Sequence, residues 1–348
     1  MVAKPHSTQQ GVALITVMLI VALAAILATQ MSSRLLLQMQ RTTNIDLNQQ
    51  AYWYAMGAEA FAKRVLIDIF SKEPNSTNLS QAWAQGETSY PVDGGNITGE
   101  ITDLQACLNL NALRSEKKNI RDNSDNNKQQ GQEKSAKNKK KQAPPIKAAF
   151  IELLTGLEVD GVSQFEAEYM ADALIDWLDP DNVIVSAGGA EDNDYAAKTF
   201  PYLAANNYLA SINELRLIAH FTVPVIEALR EYVCVIPNNN LHKININTIR
   251  NEQALLLAAL LGVSRTDVEQ ALAARAEKGF ENIEDFFNLP ELSKLKISEA
   301  KKKQFVVDSE YFKLRTTASF NDSYFTLNSI MKITNNNKVD VISRTIGQ

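Results

Sequence analysis

The sequence has few of the residues on which most catalytic and cofactor sites depend. Its 348 residues include two cysteines, Cys107 and Cys234, and three histidines that are widely separated along the chain. No CxxC, HExxH or GxSxG spacing occurs, and the Gly-Gly pairs at 94–95 and 188–189 lack the further residues of a phosphate-binding loop. The common redox, metalloprotease, hydrolase and nucleotide-binding motifs are therefore absent, and we expect a protein that is not an enzyme.

The beginning of the chain lacks charge. No Asp, Glu, Lys or Arg occurs between Gly11 and Ser33, and residues 12–28 are apolar except for Thr16. About 20 apolar residues are enough for a helix to cross a bilayer, so this run is long enough. Beyond it, apolar residues recur at intervals of three and four, and the next proline is Pro74. The pattern predicts one helix of about 60 residues that is membrane-embedded at its start and amphipathic at its end.

Charge is unevenly distributed over the rest of the chain. The 35 Lys and Arg against 40 Asp and Glu give a net charge of -5. Residues 115–147 contain ten basic and four acidic residues, a net of +6, so the remainder carries -11. This segment contains no aromatic residue, which predicts a solvated, low-complexity basic insert. Because the acidic remainder repels phosphate, we expect no nucleic-acid partner.

The N-terminal run follows a polar leader. The leader carries Lys4 and ends at Gly11, and the apolar run begins at Val12. This order resembles the class III signal of type IV pilins and type II secretion pseudopilins, whereas an ordinary secretory signal is cleaved after its apolar segment. The resemblance implies that a prepilin peptidase cleaves between Gly11 and Val12 and methylates the nitrogen of Val12. A plain signal anchor is the alternative.

The fifth position after the expected cleavage distinguishes a subfamily. Most pseudopilins have Glu there, and this sequence has Thr16. A carboxylate in lipid is costly unless it is paired, and in the family it is thought to pair with the terminal ammonium of the subunit ahead. Absence of the Glu is characteristic of the K-type minor pseudopilin of type II secretion, proposed to cap the pseudopilus tip. Residues 52–60 also look like that subfamily's helix.

The resemblance to K-type minor pseudopilins implies a structural role and a set of partners. The chain would lie in the inner membrane of a Gram-negative bacterium as a single-pass protein, with its bulk in the periplasm. It would start pseudopilus assembly with the I- and J-type minor pseudopilins and limit the length of the pseudopilus. The other implied partners are the major pseudopilin, the prepilin peptidase, the secretin and the secreted cargo.

Strand-like segments on either side of a helical region predict the fold class. Short apolar runs among Gly and Asn follow Pro74, and similar runs recur between Tyr311 and Ile342, which indicates strands. Between them, LNLNAL at 108–113 and ININTI at 244–249 each precede a similar series of helices. We therefore predict an α+β, pilin-like fold in which a long N-terminal helix and a small antiparallel sheet carry a large all-α insertion of two SAM-like helical modules.

The expected boundaries follow from these patterns. They are a leader at 1–11, a transmembrane part at 12–33, the first part of the pilin-type domain at 34–107, a first module at 108–236 with the insert at 115–147, a second module at 237–305 and final strands at 306–348.

The second module leaves one alternative function open. Residues 245–248 resemble the start of a helix-hairpin-helix DNA-binding module, so a minor type IV pilin or competence-type component could bind DNA through this module and the basic insert. Such hairpins bind phosphate through a glycine-rich turn, usually with basic residues nearby. Here the turn at 261–265 retains one glycine, which favours the secretion interpretation.

An acidic loop is the candidate ligand site. Calcium prefers six to eight oxygen ligands, and clustered carboxylates repel one another unless a cation neutralises them. The spacing departs from an EF-hand, because Val183 and Ile184 stand where that motif needs an oxygen ligand and a glycine. From the residues alone, a polar loop that ends a helix is the alternative. The K-type resemblance favours calcium, since those proteins carry a similar loop associated with calcium. The candidate ligands are Asp179, Asp181, Glu191, Asp192 and Asp194.

The two cysteines have two open interpretations. Cys107 follows a predicted strand, and Cys234 lies in a β-branched run. In an oxidising periplasm they would form a disulfide that closes the first module at both ends. Otherwise they are two buried thiols.

Overall fold

The computed structural model describes residues 10–114, 146–320, 323–334 and 338–347. The α-helices are α1 (Gln10–Lys72), α2 (Lys147–Gly156), α3 (Gln164–Leu178), α4 (Asp192–Ala196), α5 (Val223–Leu229), α6 (Ala254–Leu261), α7 (Arg265–Ala273), α8 (Ile283–Phe287) and α9 (Glu299–Lys302). Short 3-10 helices occur at Ala82–Ala84, Leu110–Leu113, Ile212–Arg216 and Asn251–Gln253. The strands are β1 (Thr88–Val92), β2 (Gly95–Asp103), β3 (Leu108–Asn109), β4 (Val233–Cys234), β5 (Ile244–Asn245), β6 (Phe305–Val306), β7 (Tyr311–Phe320), β8 (Ser323–Thr334) and β9 (Lys338–Ile346).

Helix α1 is the single long helix that the sequence predicts, with 63 residues. Its first part is exposed along every face, and it is long and apolar enough to cross a membrane. Its second part packs across β7 and β8 with one stripe of side chains, of which Ala55, Ala62, Leu66 and Phe70 are buried. Together with the buried Glu59, these residues recur at three- and four-residue spacing and so share one face of the helix. The expected single long helix, apolar at its start and amphipathic at its end, is thereby confirmed.

The sheet is antiparallel and has the strand order β1-β2-β7-β8-β9. Strand β2 pairs with β7 although about 200 residues separate them, since Asp103 lies opposite Phe312 and Gly95 opposite Phe320. The helical region therefore leaves the sheet at the end of β2 and returns at the start of β7. The predicted α+β, pilin-like class with an inserted helical region is confirmed. Of the basic insert predicted at 115–147, residues 115–145 lie outside the described residues.

The two helical modules are built in the same way. A two-residue parallel pair closes each one, β3 with β4 in the first and β5 with β6 in the second. In the first module, the side-chain amide of Asn111 donates to the carbonyl of Leu209 (3.0 Å) and accepts from its N–H (2.8 Å). In the second, Asn247 makes the same two bonds with Phe280 (3.0 and 2.7 Å). The repeated Asn thus satisfies a buried main-chain segment, which explains its recurrence in the sequence.

One buried carboxylate joins the second module to the sheet. Asp103, at the end of β2, accepts hydrogen bonds from the hydroxyls of Thr248 and Ser309 (both 2.6 Å) and from the N–H of Gln105 (2.7 Å). Burial raises the pKa of Asp103 to about 6, although these hydrogen bonds act in the opposite direction. The position of the module against the sheet therefore depends on a fully bonded polar cluster as well as on apolar packing.

Candidate functional site

Helix α3 positions the first part of the acidic loop. The side chain of Ser163 caps its N-terminus by accepting from the N–H of Phe165. Asp172 and Asp176 lie one turn apart, so they share a face of α3, and both are buried. Asp179 follows directly after the helix, and its N–H still donates to the carbonyl of Ile175 (2.9 Å), which fixes its direction.

The loop after α3 folds back onto these carboxylates. Asp172 forms an ion pair with Lys147 and accepts a hydrogen bond from the hydroxyl of Ser186. Asp176 accepts from the N–H of Val185 (2.9 Å). A Cβ atom on Gly189 would overlap the second carboxylate oxygen of Asp176, so this close approach requires glycine. The loop is therefore held against α3 by main-chain and side-chain contacts together.

Three of the predicted ligands converge at the end of this loop. Asp179, Asp181 and Glu191 each offer one carboxylate oxygen, and these oxygens lie within 4.8 Å of one another. Asp179 is 1% exposed and Glu191 is 4% exposed, whereas Asp181 is half-buried. The N–H of Asp181 donates to Asp179 and that of Val183 donates to Asp181 (both 3.1 Å), which orients both side chains. The arrangement is a compact, oxygen-only group on an irregular backbone, as calcium prefers.

Glu191 provides the test of whether a cation fits. Its two buried carboxylate oxygens accept no hydrogen bond from any residue in the described part of the chain. Burial, together with the charges of the nearby carboxylates, Asp176 foremost, raises its pKa to about 7. A buried, unbonded carboxylate beside like charges is unfavourable by itself and becomes favourable when a cation is shared. The three carboxylates therefore fit a calcium ion.

The other two predicted ligands lie outside this group. Asp192 accepts hydrogen bonds from the side-chain amide of Asn182 (2.7 Å) and from the N–H of Ala204 (3.1 Å). Asp194 accepts from the N–H of Glu191 (2.9 Å). Of the five carboxylates that the sequence predicts as ligands, the structure therefore brings three together. The sequence analysis did not predict the structural role of Asp176. The pattern that could have indicated it is the position of Asp176 on the buried face of α3, three residues before Asp179.

The residues at the expected cleavage point lie on the first turns of α1. Helix α1 already includes Gly11 and Val12, and Val12 is 62% exposed. The hydroxyl of Thr16 donates to the carbonyls of Val12 (3.1 Å) and Ala13 (2.9 Å). Thr16 therefore satisfies its own polar group within the helix. A carboxylate at this position would need a partner from another chain when it lies in lipid.

A disulfide joins Cys107 and Cys234, whose Cα atoms are 5.8 Å apart. It ties the chain just before β3 to β4, and the two cysteines have a sequence separation of 127. The bond lies in a small apolar cluster that also contains Leu104, Ile236 and Tyr311. The first module is thereby closed where it joins the sheet.

Comparison with known proteins places the chain in a family. Models described as "Type II secretion system (T2SS), protein K" match residues 106–238 and 244–308. A protein named type II secretion system protein K from Aeromonas hydrophila is 38% identical over 344 residues, covering 97% of each chain. The protein of the same name from Klebsiella pneumoniae is 37% identical, over 84% of this chain and 83% of its own length. The chain belongs to the type II secretion system protein K family.

A solved structure extends the likeness to the fold. It is the GspK-GspI-GspJ complex of the type 2 secretion system from enterotoxigenic Escherichia coli. One chain of that complex is 30% identical to this one with a TM-score of 0.73, and the match covers 88% of this chain and 99% of the other. These matches favour the secretion interpretation over the DNA-binding alternative.

The hairpin of α6 and α7 is also a poor match to a phosphate site in this member of the protein K family. The turn contains Gly262 in the left-handed region (φ 73°). The following helix is capped by Ser264, whose hydroxyl donates to the carboxylate of Asp267 (2.6 Å). A carboxylate thus occupies the helix N-terminus at which a phosphate would have to bind.

Proposed function

We propose that this chain is a K-type minor pseudopilin of a type II secretion system, acting as a structural component and not as an enzyme. The observation that carries the proposal is the likeness to a chain of the GspK-GspI-GspJ complex over 88% of the present chain. Its partners would then be I- and J-type minor pseudopilins. The major pseudopilin, the secretin and secreted cargo are further partners of a subunit in this position.

Two features support a place at the tip of the pseudopilus. Thr16 supplies no carboxylate to pair with the terminal ammonium of a subunit ahead, so the chain needs no subunit in front of it. The two helical modules inserted between β2 and β7 add bulk that repeated lateral packing would have to accommodate. A subunit of this shape would start assembly together with its I- and J-type partners and limit the length of the pseudopilus.

The proposal is tested by co-purification of the full-length chain. Tagged protein is extracted in mild detergent from cells that also express the I- and J-type pseudopilins of the same organism. We expect both partners in the eluate in fixed proportion, and neither partner when an unrelated single-pass periplasmic protein carries the tag. A folded chain that retains neither partner would contradict the proposal, as would normal cargo secretion from a strain that lacks the chain.

We also propose that the chain is a single-pass inner-membrane protein with its bulk in the periplasm, cut between Gly11 and Val12 by a prepilin peptidase. The apolar first part of α1 and the polar residues before it support this. The disulfide between Cys107 and Cys234 fits an oxidising compartment.

Mass spectrometry of the mature protein checks the cleavage. We expect an N-terminus at N-methylated Val12, and we expect Gly11→Val to retain the leader because the residue before the scissile bond then carries a branched side chain. The control is Gly57→Ala, since a Cβ at this α1 glycine meets nothing within 4 Å. Cleavage after the apolar run, or equal processing of both variants, would show that the segment is an ordinary signal.

Finally, we propose that Asp179, Asp181 and Glu191 hold a calcium ion. The fit rests on the shared oxygen group and on the unbonded, buried carboxylate of Glu191. The ion would supply positive charge to the buried carboxylate of Glu191.

A further inference from the structure

Residues 197–209 form an irregular segment that carries two exposed apolar side chains. The segment is neither helix nor strand, and Phe200 is 84% and Leu203 63% exposed. Exposed side chains of this size tend to collapse onto the nearest apolar surface unless the main chain that carries them is fixed. The contacts that fix this segment therefore decide how the two side chains are presented.

Alternate residues of the segment face the protein. Tyr202, Ala204, Asn206 and Tyr208 are half-buried, while most residues between them are exposed. The hydroxyl of Tyr202 donates to the carbonyl of Leu217 (2.6 Å). This alternation is that of an extended chain with one face attached, and it directs Leu203 outward.

The middle of the segment is attached through Asp192. One carboxylate oxygen of Asp192 accepts from the N–H of Ala204 (3.1 Å). The other accepts from the amide of Asn182 (2.7 Å), and the carbonyl oxygen of that Asn182 side chain accepts from Asn206 (3.0 Å). The attachment of Ala204 and the attachment of Asn206 therefore both depend on the carboxylate of Asp192. Leu203 lies directly beside the first of them.

Both residues of this bridge adjoin proposed calcium ligands. Asn182 follows Asp181, and Asp192 follows Glu191. An ion that holds Asp181 and Glu191 brings their main chains to a fixed separation, and this sets the positions from which Asn182 and Asp192 reach each other. Asp192 itself has both oxygens engaged and lies outside the three-carboxylate group.

We infer that Asp192 is a positioning residue through which a cation held by Asp179, Asp181 and Glu191 fixes residues 197–209 and the direction of Phe200 and Leu203. The inference rests on the proposed calcium site. It makes the exposed apolar surface of the first module dependent on the ion, although neither side chain contacts the ion.

Hydrogen exchange of the full-length chain in detergent, with calcium chloride or with EDTA, tests the inference. For the wild type we expect amides in 197–209 to exchange about tenfold more slowly when calcium is bound. In Asp192→Asn the new amide group opposes a donor, either Asn182 or the N–H of Ala204, so this protection should be lost. Isothermal titration should meanwhile show a calcium affinity within about threefold of the wild type, since the three ligands are retained.

Two further variants complete the design. Asn182→Ala, at an exposed loop position, breaks the same bridge without altering any carboxylate and should also lose protection while it binds calcium. Asp160→Asn makes the same chemical change at an exposed site and should behave as the wild type.

The outcomes separate the two proposals. Calcium binding with unchanged exchange in the wild type overturns the inference and leaves the calcium site standing. Loss of calcium binding in Asp192→Asn but not in Asn182→Ala makes Asp192 a ligand and overturns its positioning role. Absence of calcium binding in the wild type overturns the proposed site and the inference together.

Discussion

Replacement of Arg344 by alanine is expected to lower the free energy of unfolding by about 3 kcal/mol, because it leaves a buried carboxylate without its counter-charge. Glu59, on α1, is 3% exposed. It accepts hydrogen bonds from Nε (2.7 Å) and Nη2 (2.8 Å) of Arg344 on β9 and from the hydroxyl of Ser329 (2.6 Å) on β8. After the substitution, only Ser329 of these donors remains.

The pH dependence of this effect has a defined sign. Burial opposes ionisation of Glu59, but the hydrogen bonds from Arg344 and Ser329 and the charges of Arg344 and Lys63 together outweigh it and hold the pKa of Glu59 below its ordinary value. A lowered pKa contributes stability at neutral pH that is lost as the pH falls through the carboxylate range. The difference between the wild type and Arg344→Ala should therefore shrink below about pH 4.

Denaturant unfolding of the detergent-solubilised chain measures both expectations. The control is Arg315→Ala, since Arg315 is exposed on β7 and makes no ion pair with a described residue; its effect should stay within about 0.5 kcal/mol. The double variant Glu59→Gln with Arg344→Ala should regain part of the loss, because no buried charge is then uncompensated. Equal losses for Arg344→Ala and Arg315→Ala would show that the pair does not anchor β9.

The parts of this fold that local patterns specify could be predicted from the sequence. The length of α1 follows from its apolar spacing and from the absence of proline between Gln10 and Pro74. The duplication of the modules follows from the two Asn-x-Asn motifs, because the second Asn of each motif hydrogen-bonds a buried main-chain segment in the same way. By contrast, the pair of Glu59 and Arg344 joins residues 285 positions apart, and only the register of the assembled sheet brings them together.

The sequence predicted which loop holds the candidate ion site, but not which of its carboxylates converge there. Sequence spacing placed all five carboxylates near one turn, and Glu191 does return to Asp179 and Asp181. The start of α4 at Asp192 then turns the next carboxylates away, toward Asn182 and the N–H of Glu191. In the sequence, Asp176 looks like any other residue of an amphipathic helix. That it holds the loop against α3 is evident only in the structure, where Gly189 lies against it. Such details depend on where the main chain folds back, which composition does not encode.

In EDTA, the protein is expected to lose stability as the pH rises from about 4.5 to about 8, because Glu191 must then ionise beside other carboxylates. Its pKa in the fold is raised to about 7, above the unfolded value of 4.5. A raised carboxyl pKa contributes stability that is complete below the unfolded pKa and is lost as the pH passes through the folded one. At pH 8 the ionised side chain should therefore cost about 2 kcal/mol, with allowance for solvent at the half-buried Asp181.

Glu191→Gln should reverse the order of stability between the two conditions. In EDTA at pH 8 the variant should be more stable than the wild type, since the repelling charge is gone. With calcium at about 100 times its Kd, the wild type should gain about 2.7 kcal/mol while the variant gains little. Thermal unfolding at pH 6 and pH 8, with calcium or with EDTA, measures all four combinations.

Asp103 also lowers the stability of the fold as the pH rises. The effect of Glu191 is therefore the difference in stability between the wild type and Glu191→Gln at each pH. The pKa of Asp103 is raised to about 6, and Asp103 is present in both proteins, so the difference isolates Glu191. Glu152→Gln, on the exposed face of α2, makes the same change elsewhere and should follow the wild type. If Glu191→Gln is less stable than the wild type in EDTA at pH 8, or if it gains as much from calcium, then Glu191 is not the residue whose charge the ion balances.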